Sequence, residues 1–224
     1  MKAPLLAGFA ALAALATPAS AEDMQGKVQV KLLGTAVLPD GKITKVKVDP
    51  GLPAGTQTEA NNNVVPTVAI EYFVTNNVSI ETICCFTQHD VDTTAGFPAG
   101  TELVSNARVI PATFTAKYHV DGGAVRPYVG AGVTYFLWVQ DKPGAATTPA
   151  PLSITKTDFS DEFGFVLQAG VDIPVSESGF GISLDAKRYF VDTTASWYAG
   201  STLAIQTVHK LDPWVLSAGV TFAF

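Results

Sequence analysis

The chain has 224 residues, with 14 basic against 20 acidic side chains and a formal net charge of −6. That balance excludes nucleic acid as a natural partner, and two cysteines are too few for a disulfide-stapled scaffold. The length suits one sizeable domain, and nothing reads as a linker between two.

From the N-terminus, Lys2 precedes an apolar run from Pro4 to Ala16 that ends in Ala19-Ser20-Ala21, a small-x-small site of the kind signal peptidase cuts. The expectation is a cleaved leader over 1–21 and a mature chain over 22–224, whose charge becomes −7 once Lys2 is lost. The run is too short and wrongly flanked for a stop-transfer helix, so no helical membrane span is expected afterwards.

Beyond the leader the dominant signal has period two, the repeat of a strand. It opens weakly in Val28-Val30-Leu32, in Val64-Pro66-Val68-Ile70-Tyr72 and in Val78-Ile80-Thr82-Cys84-Phe86. Cys84 and Cys85 are adjacent in such a strand, so their side chains point to opposite faces and are poorly placed for a disulfide. The pattern strengthens in Ile110-Ala112-Phe114-Ala116-Tyr118, and from Val125 to Val139 every odd position is apolar. It returns in Phe163-Phe165-Leu167-Ala169-Val171-Ile173, in Phe180-Ile182-Leu184-Ala186, and in Trp214-Leu216-Ala218-Val220-Phe222-Phe224. These segments predict eight strands.

Three features place the strands in a membrane rather than in a soluble sandwich. Most are long enough for a tilted span of the hydrocarbon layer. The ionisable residues Lys31, Glu71, Glu81, Lys117, Arg126, Asp172, Asp185 and Lys187 nearly all take the parity opposite to the apolar face. Connections alternate: Asn76-Asn77, Asp121-Gly122-Gly123 and Ser176-Glu177-Ser178-Gly179 are tight, whereas 39–63, 88–106, 140–158 and 192–208 are long. The predicted fold class is therefore all-β: an eight-stranded antiparallel transmembrane β-barrel with short periplasmic turns and long extracellular loops, closed because an open edge would strand backbone donors in lipid. Such a barrel sits in the outer membrane of a Gram-negative-type envelope, among its lipid and lipopolysaccharide, and its aromatic C-terminus suits the barrel-assembly machinery.

Aromatics on the apolar face should then form two belts, with Tyr72, Tyr118, Phe180, Phe222 and Phe224 near the periplasm and Phe86, Phe159, Phe190 and Trp214 near the outside. Val91-Asp92-Thr93-Thr94-Ala95 recurs as Val191-Asp192-Thr193-Thr194-Ala195, which reads as shared turn chemistry at strand ends.

Several stretches together resemble the OmpW family of small outer-membrane barrels. They are Glu71-Tyr72-Phe73-Val74-Thr75-Asn76-Asn77-Val78-Ser79-Ile80-Glu81 with Phe86-Thr87-Gln88-His89-Asp90-Val91, and Pro111 to His119 followed by Arg126-Pro127-Tyr128-Val129-Gly130-Ala131-Gly132-Val133. Gln168-Ala169-Gly170-Val171-Asp172 and the ending from Leu211-Asp212-Pro213-Trp214 to Phe224 complete the likeness. The resemblance implies a narrow, largely apolar lumen, proposed in the family to pass small hydrophobic molecules. Cys84-Cys85 and Ala223 depart from the family's habit without bearing on the fold.

Eight strands enclose a space that side chains mostly fill, which excludes an open aqueous porin. Lys31, Lys117, Arg126 and Lys187 face Glu71, Glu81, Asp172 and Asp185 across that space, and buried charges must be paired, so a cross-lumen network should plug the periplasmic half. Above it Leu33, Val37, Phe136, Trp138 and Val166 should line an apolar outer half. No catalytic residues, metal site or cofactor is expected: His89, His119 and His209 lack a nucleophile at the spacing a lipid-modifying barrel would need, and Gly130-Ala131-Gly132 continues a strand rather than opening a phosphate loop. The function expected is a passive channel or binding barrel for small hydrophobic molecules. The alternative is a structural or surface-interaction barrel whose loops, with Lys42, Lys45 and Lys47 in the first, bind lipopolysaccharide or external partners without transport.

Overall fold

The fold follows from the alternation just described. In a computed structural model that describes residues 23–49, 51–120 and 125–224, the chain runs through β1 (Val28–Leu38), β2 (Lys42–Val48), β3 (Gln57–Ala60), β4 (Asn63–Phe73), β5 (Val78–Cys84), β6 (Thr87–Ala95), β7 (Glu102–His119) and β8 (Arg126–Pro143). It continues through β9 (Lys156–Phe159), β10 (Glu162–Pro174), β11 (Phe180–Phe190), β12 (Asp192–Ala199), β13 (Thr202–Lys210) and β14 (Trp214–Ala223). The expected leader over 1–21 and the turn at Asp121-Gly122-Gly123 lie outside the described residues.

Strands β1, β4, β5, β7, β8, β10, β11 and β14 each pair antiparallel with the next, and β14 returns to β1 through ten registered pairs from Gln29 with Ala223 to Leu38 with Trp214. The ring is therefore closed, and no barrel edge is left for lipid to meet. Short turns gather at one end and the long connections at the other, which by the rule for such barrels is the outer end. On β4 the two faces are clear: Val64 (74% exposed), Ile70 and Tyr72 point outward, while Val65, Thr67, Ala69, Glu71 and Phe73 are buried.

The long connections are not irregular loops, which corrects the expectation from sequence. They carry six further strands: β3 and β6 extend the barrel wall beside the upper part of β7, and β2, β13, β12 and β9 make a second sheet in that order. These extensions enclose their own apolar cluster of Val91, Val104, Ala107, Ile154, Ala195, Trp197 and Ile205. The first copy of the Val-Asp-Thr-Thr-Ala repeat lies in β6 and the second runs from Val191, between β11 and β12, into β12, with Val91, Thr93, Val191 and Thr193 buried. The repeat is thus strand rather than turn.

A candidate ligand cavity above a buried ion cluster

The lower lumen is filled by side chains that the inward parity of six strands delivers to one level. Lys117 Nζ on β7 lies 2.7 Å from Glu71 Oε2 on β4 and 2.9 Å from Glu81 Oε2 on β5. Lys31 Nζ on β1 lies 3.0 Å from both Glu71 Oε2 and Asp172 Oδ1. Lys187 Nζ on β11 completes the set, 3.1 Å from Glu81 Oε1 and 2.7 Å from Asp185 Oδ1. Each ammonium thus meets at least two carboxylates, the condition under which charges persist away from water.

Further hydrogen-bonding groups finish the cluster. Gln168 donates to Glu81 Oε1 and Asp185 Oδ2, the Tyr128 hydroxyl donates to Asp185 Oδ2 at 2.7 Å, and the Tyr128 ring lies 3.7 Å below Lys117 Nζ. Glycine makes the room: a side chain at Gly170 would collide with the Tyr128 hydroxyl, and a Cβ at Gly130 would lie 3.0 Å from Lys117 Cγ. His119 Nε2 is 2.8 Å from Glu71 Oε1 and 2.9 Å from Ser79 Oγ.

Above this level the lumen changes character. Leu33, Val37, Val109, Phe136, Trp138 and Leu211 are among the side chains around a partly open, mainly apolar cavity of about 60 Å³, whose lining includes Lys187. Several polar groups that border it are engaged, Thr35 Oγ1 with Ser217 Oγ at 2.9 Å, Tyr189 with Thr113, and His89 with Thr87 and the Asn61 carbonyl, while the buried Trp138 Nε1 has no hydrogen-bond partner among the described residues. His209, at the upper rim, is held by Thr207 Oγ1 at 2.7 Å and the Gly41 carbonyl at 3.2 Å. Burial pushes its pKa down to about 4 against the small opposing effect of that carbonyl, so its ring is neutral at ordinary pH. A second apolar cavity of about 30 Å³, bordered by Leu52, Phe97, Leu152, Trp197 and Ile205, lies within the outer extensions.

One side of the cavity has no continuous ladder. The β4–β5 pairing ends at Val68 with Cys84, and the β3–β6 pairing begins only at Ala60 with Val91. Between them the wall is held by isolated bonds, Asn63 Nδ2 to the Gln88 carbonyl at 2.7 Å and Asn61 N to the Asp90 carbonyl at 3.0 Å. Pro66 has no N–H to offer. Cys85 and Thr67 reach the cavity here, and Phe86 (62% exposed) and Val64 face outward beside them.

Comparison with known proteins decides the lineage of this barrel, since the sequence pattern of the OmpW family matches residues 24–224. The chain belongs to the OmpW family. It is 30% identical to an uncharacterized outer-membrane protein, y4mB, of Sinorhizobium fredii over 96% of this chain and 90% of that one. With outer membrane protein W of Vibrio cholerae it shares 27% identity over 98% of both chains. The crystal structure of OprG from Pseudomonas aeruginosa has the same fold, with a TM-score of 0.79 over 92% of this chain and 99% of that one at 21% identity. The protein is an OmpW-family barrel of the outer membrane.

Within this barrel, seven of the eight charged residues singled out from sequence meet in the cluster. Arg126 does not: it stands at the turn end of β8, where Nη2 donates to the Asn76 carbonyl at 2.7 Å and the guanidinium lies 5.3 Å from the Phe73 ring. Its parity was right but its height was not. Leu33, Val37, Phe136 and Trp138 border the cavity, while Val166 packs behind it with Phe136 and Tyr189. Phe159 is a further correction: instead of facing lipid it stacks on Trp138, ring centroids 4.5 Å apart, and lines the cavity. Residues missed from sequence include His119, Tyr128 and Gln168 in the cluster. The signal was available, because all three share the inward parity and lie within a few residues of Lys117, Arg126 or Asp172.

Proposed function

We propose that this barrel takes small, uncharged hydrophobic molecules from the outside into its upper cavity and releases them sideways into the outer membrane, without covalent chemistry or a cofactor. The observation that carries the reading is the stacking of an apolar cavity directly on a closed ion cluster. A hydrophobic molecule gains roughly 25 cal/mol for each Å² of apolar surface it buries against residues such as Phe136 and Trp138. It gains nothing by going further, since the ion pairs below would have to be parted to admit it and each would lose its partner in a dry site. The interrupted ladder between β4 and β6 is the place where the wall opens at least cost in backbone hydrogen bonds. The smaller cavity near Trp197 supports an approach from the outer end.

The test is uptake of a fluorescent hydrophobic probe by cells with the protein, without it, and with Trp138→Lys. The substitution puts a charge on the cavity lining without touching the lipid face, so heat-modifiable barrel should still reach the outer membrane while uptake falls to the level of cells lacking the protein. If wild type itself matches those cells, the protein is a surface-interaction or structural barrel instead.

A further inference from the structure

We propose that the outward face where β11, β13 and β14 meet binds a phosphate group of an outer-leaflet lipid, with Arg188 as the leading contact and Lys210 as the second. Arg188 has the lipid-facing parity of β11, in line with Ile182, Leu184 and Ala186 and between the inward Lys187 and Tyr189. A guanidinium on that face is expensive in hydrocarbon and is tolerated near the interface, where it meets polar head groups. Here it sits at the outer belt, 5.3 Å from the Trp214 ring and 6.0 Å from the Phe190 ring, both half exposed.

Its fork of donors is unfilled. Among the described residues the Arg188 side chain makes no hydrogen bond, and its one ion pair is a long contact of 3.9 Å to Asp212 Oδ2. That carboxylate is already committed, with Oδ1 accepting from Val191 N at 2.9 Å and Oδ2 lying 3.0 Å from Lys210 Nζ. Lys210 in turn stands directly across from Lys42 on β2, a like-charge pair, with Asp192 opposite on β12. The other outward arginine at this end, Arg108, is by contrast satisfied, its Nε donating to Gln88 Oε1 at 2.8 Å. A phosphate matches the planar fork of Arg188 in the bidentate geometry such groups favour. A lipid rather than a free ion fits because the chains beneath that phosphate would run down the apolar face formed by the half-buried Leu184 on β11 and the exposed Leu216 on β14.

The experiment uses the full mature barrel in detergent micelles, titrated with diphosphoryl lipid A, with lipid A lacking phosphate, and with inorganic phosphate, the bound molecules being counted by native mass spectrometry. Wild type should retain diphosphoryl lipid A and hold neither of the others. Arg188→Gln should weaken retention by about fivefold or more, the equivalent of the ~1 kcal/mol a surface cation contributes. Arg188→Lys should lose part of it, and Arg108→Gln should lose none. Equal retention by wild type and Arg188→Gln, an equal loss in Arg108→Gln, or binding of inorganic phosphate as strong as that of the lipid would each overturn the assignment. Should Arg188→Gln fail the heat-modifiability check for a folded barrel, Arg188→Lys and Lys210→Gln carry the same comparison, and unchanged retention in both overturns it.

Discussion

The two halves of one lumen solve the problem of a narrow barrel in opposite ways. In the lower half Lys31, Lys117 and Lys187 are each held between carboxylates within about an ordinary hydrogen-bond length. In the upper half the titratable groups that border the cavity include His89 and His209, and these rest on carbonyls and hydroxyls with no carboxylate in contact. The barrel strands and their inward parity run through both halves, and in the upper half the extension strands β6 and β13 add His89 and His209, so the difference comes from the side chains that reach each level. It teaches that a barrel of this width is closed by mutual saturation of charge at one level and kept hollow by neutral, mainly apolar walls at the next.

The sharpest way to break the comparison is to unbalance the lower half. Lys117→Met removes the ammonium from between Glu71 and Glu81 and leaves both carboxylates short of a partner in a buried site, which should cost about 3–5 kcal/mol. Urea titration of the barrel in micelles, followed by heat modifiability, reads this directly. A cost below about 1 kcal/mol would mean that water reaches the cluster and that it is no plug.

Acid should test the neutral half. His209 titrates at about 4 in the folded protein, below the ~6.5 of a free imidazole, so the unfolded segment takes up its proton first as pH falls. Stability of the outer sheets is therefore full above about pH 6.5, declines through the window down to about 4, and loses nothing further from this group below it, a total on the order of 3 kcal/mol. Hydrogen exchange of β13 amides at pH 7 and pH 4.5 should show the loss, and His209→Gln should abolish the pH dependence. The smallest effect belongs to the cavity wall. Ile83→Val trims a methyl from a residue that already borders empty space, so it should cost about 1 kcal/mol or less in the same urea titration, well below the effect of Lys117→Met.

How much of this was legible in the chain depends on the level considered. Inward and outward faces were readable because every barrel strand keeps period two, and Lys31, Glu71, Glu81, Lys117, Asp172, Asp185 and Lys187 could be assigned to the lumen by parity alone. Height along the axis was less legible. Arg126 shares the parity of the cluster but lies too near its turn to reach it, whereas His119, at the end of β7, reaches Glu71. Parity also fails to carry across a long connection. Phe159 belongs to β9 of the second sheet, so counting from the neighbouring barrel strand put it on the wrong side. The outer extensions were hidden because β2, with Lys42, Lys45 and Lys47, alternates too weakly to be told from a solvated loop.

The central claim, that a hydrophobic molecule leaves the upper cavity sideways because the lower lumen is shut, is tested most directly by closing the wall. Thr67 and the native Cys85 occupy the step next to the registered pair of Val68 and Cys84, so Thr67→Cys with Cys84→Ser allows a disulfide across the interrupted ladder. Probe uptake should fall to the level of cells without the protein when that bond is oxidised and return when it is reduced, with barrel yield unchanged. Uptake that continues unaltered through the cross-linked wall would contradict the lateral route and require a path through the ion cluster.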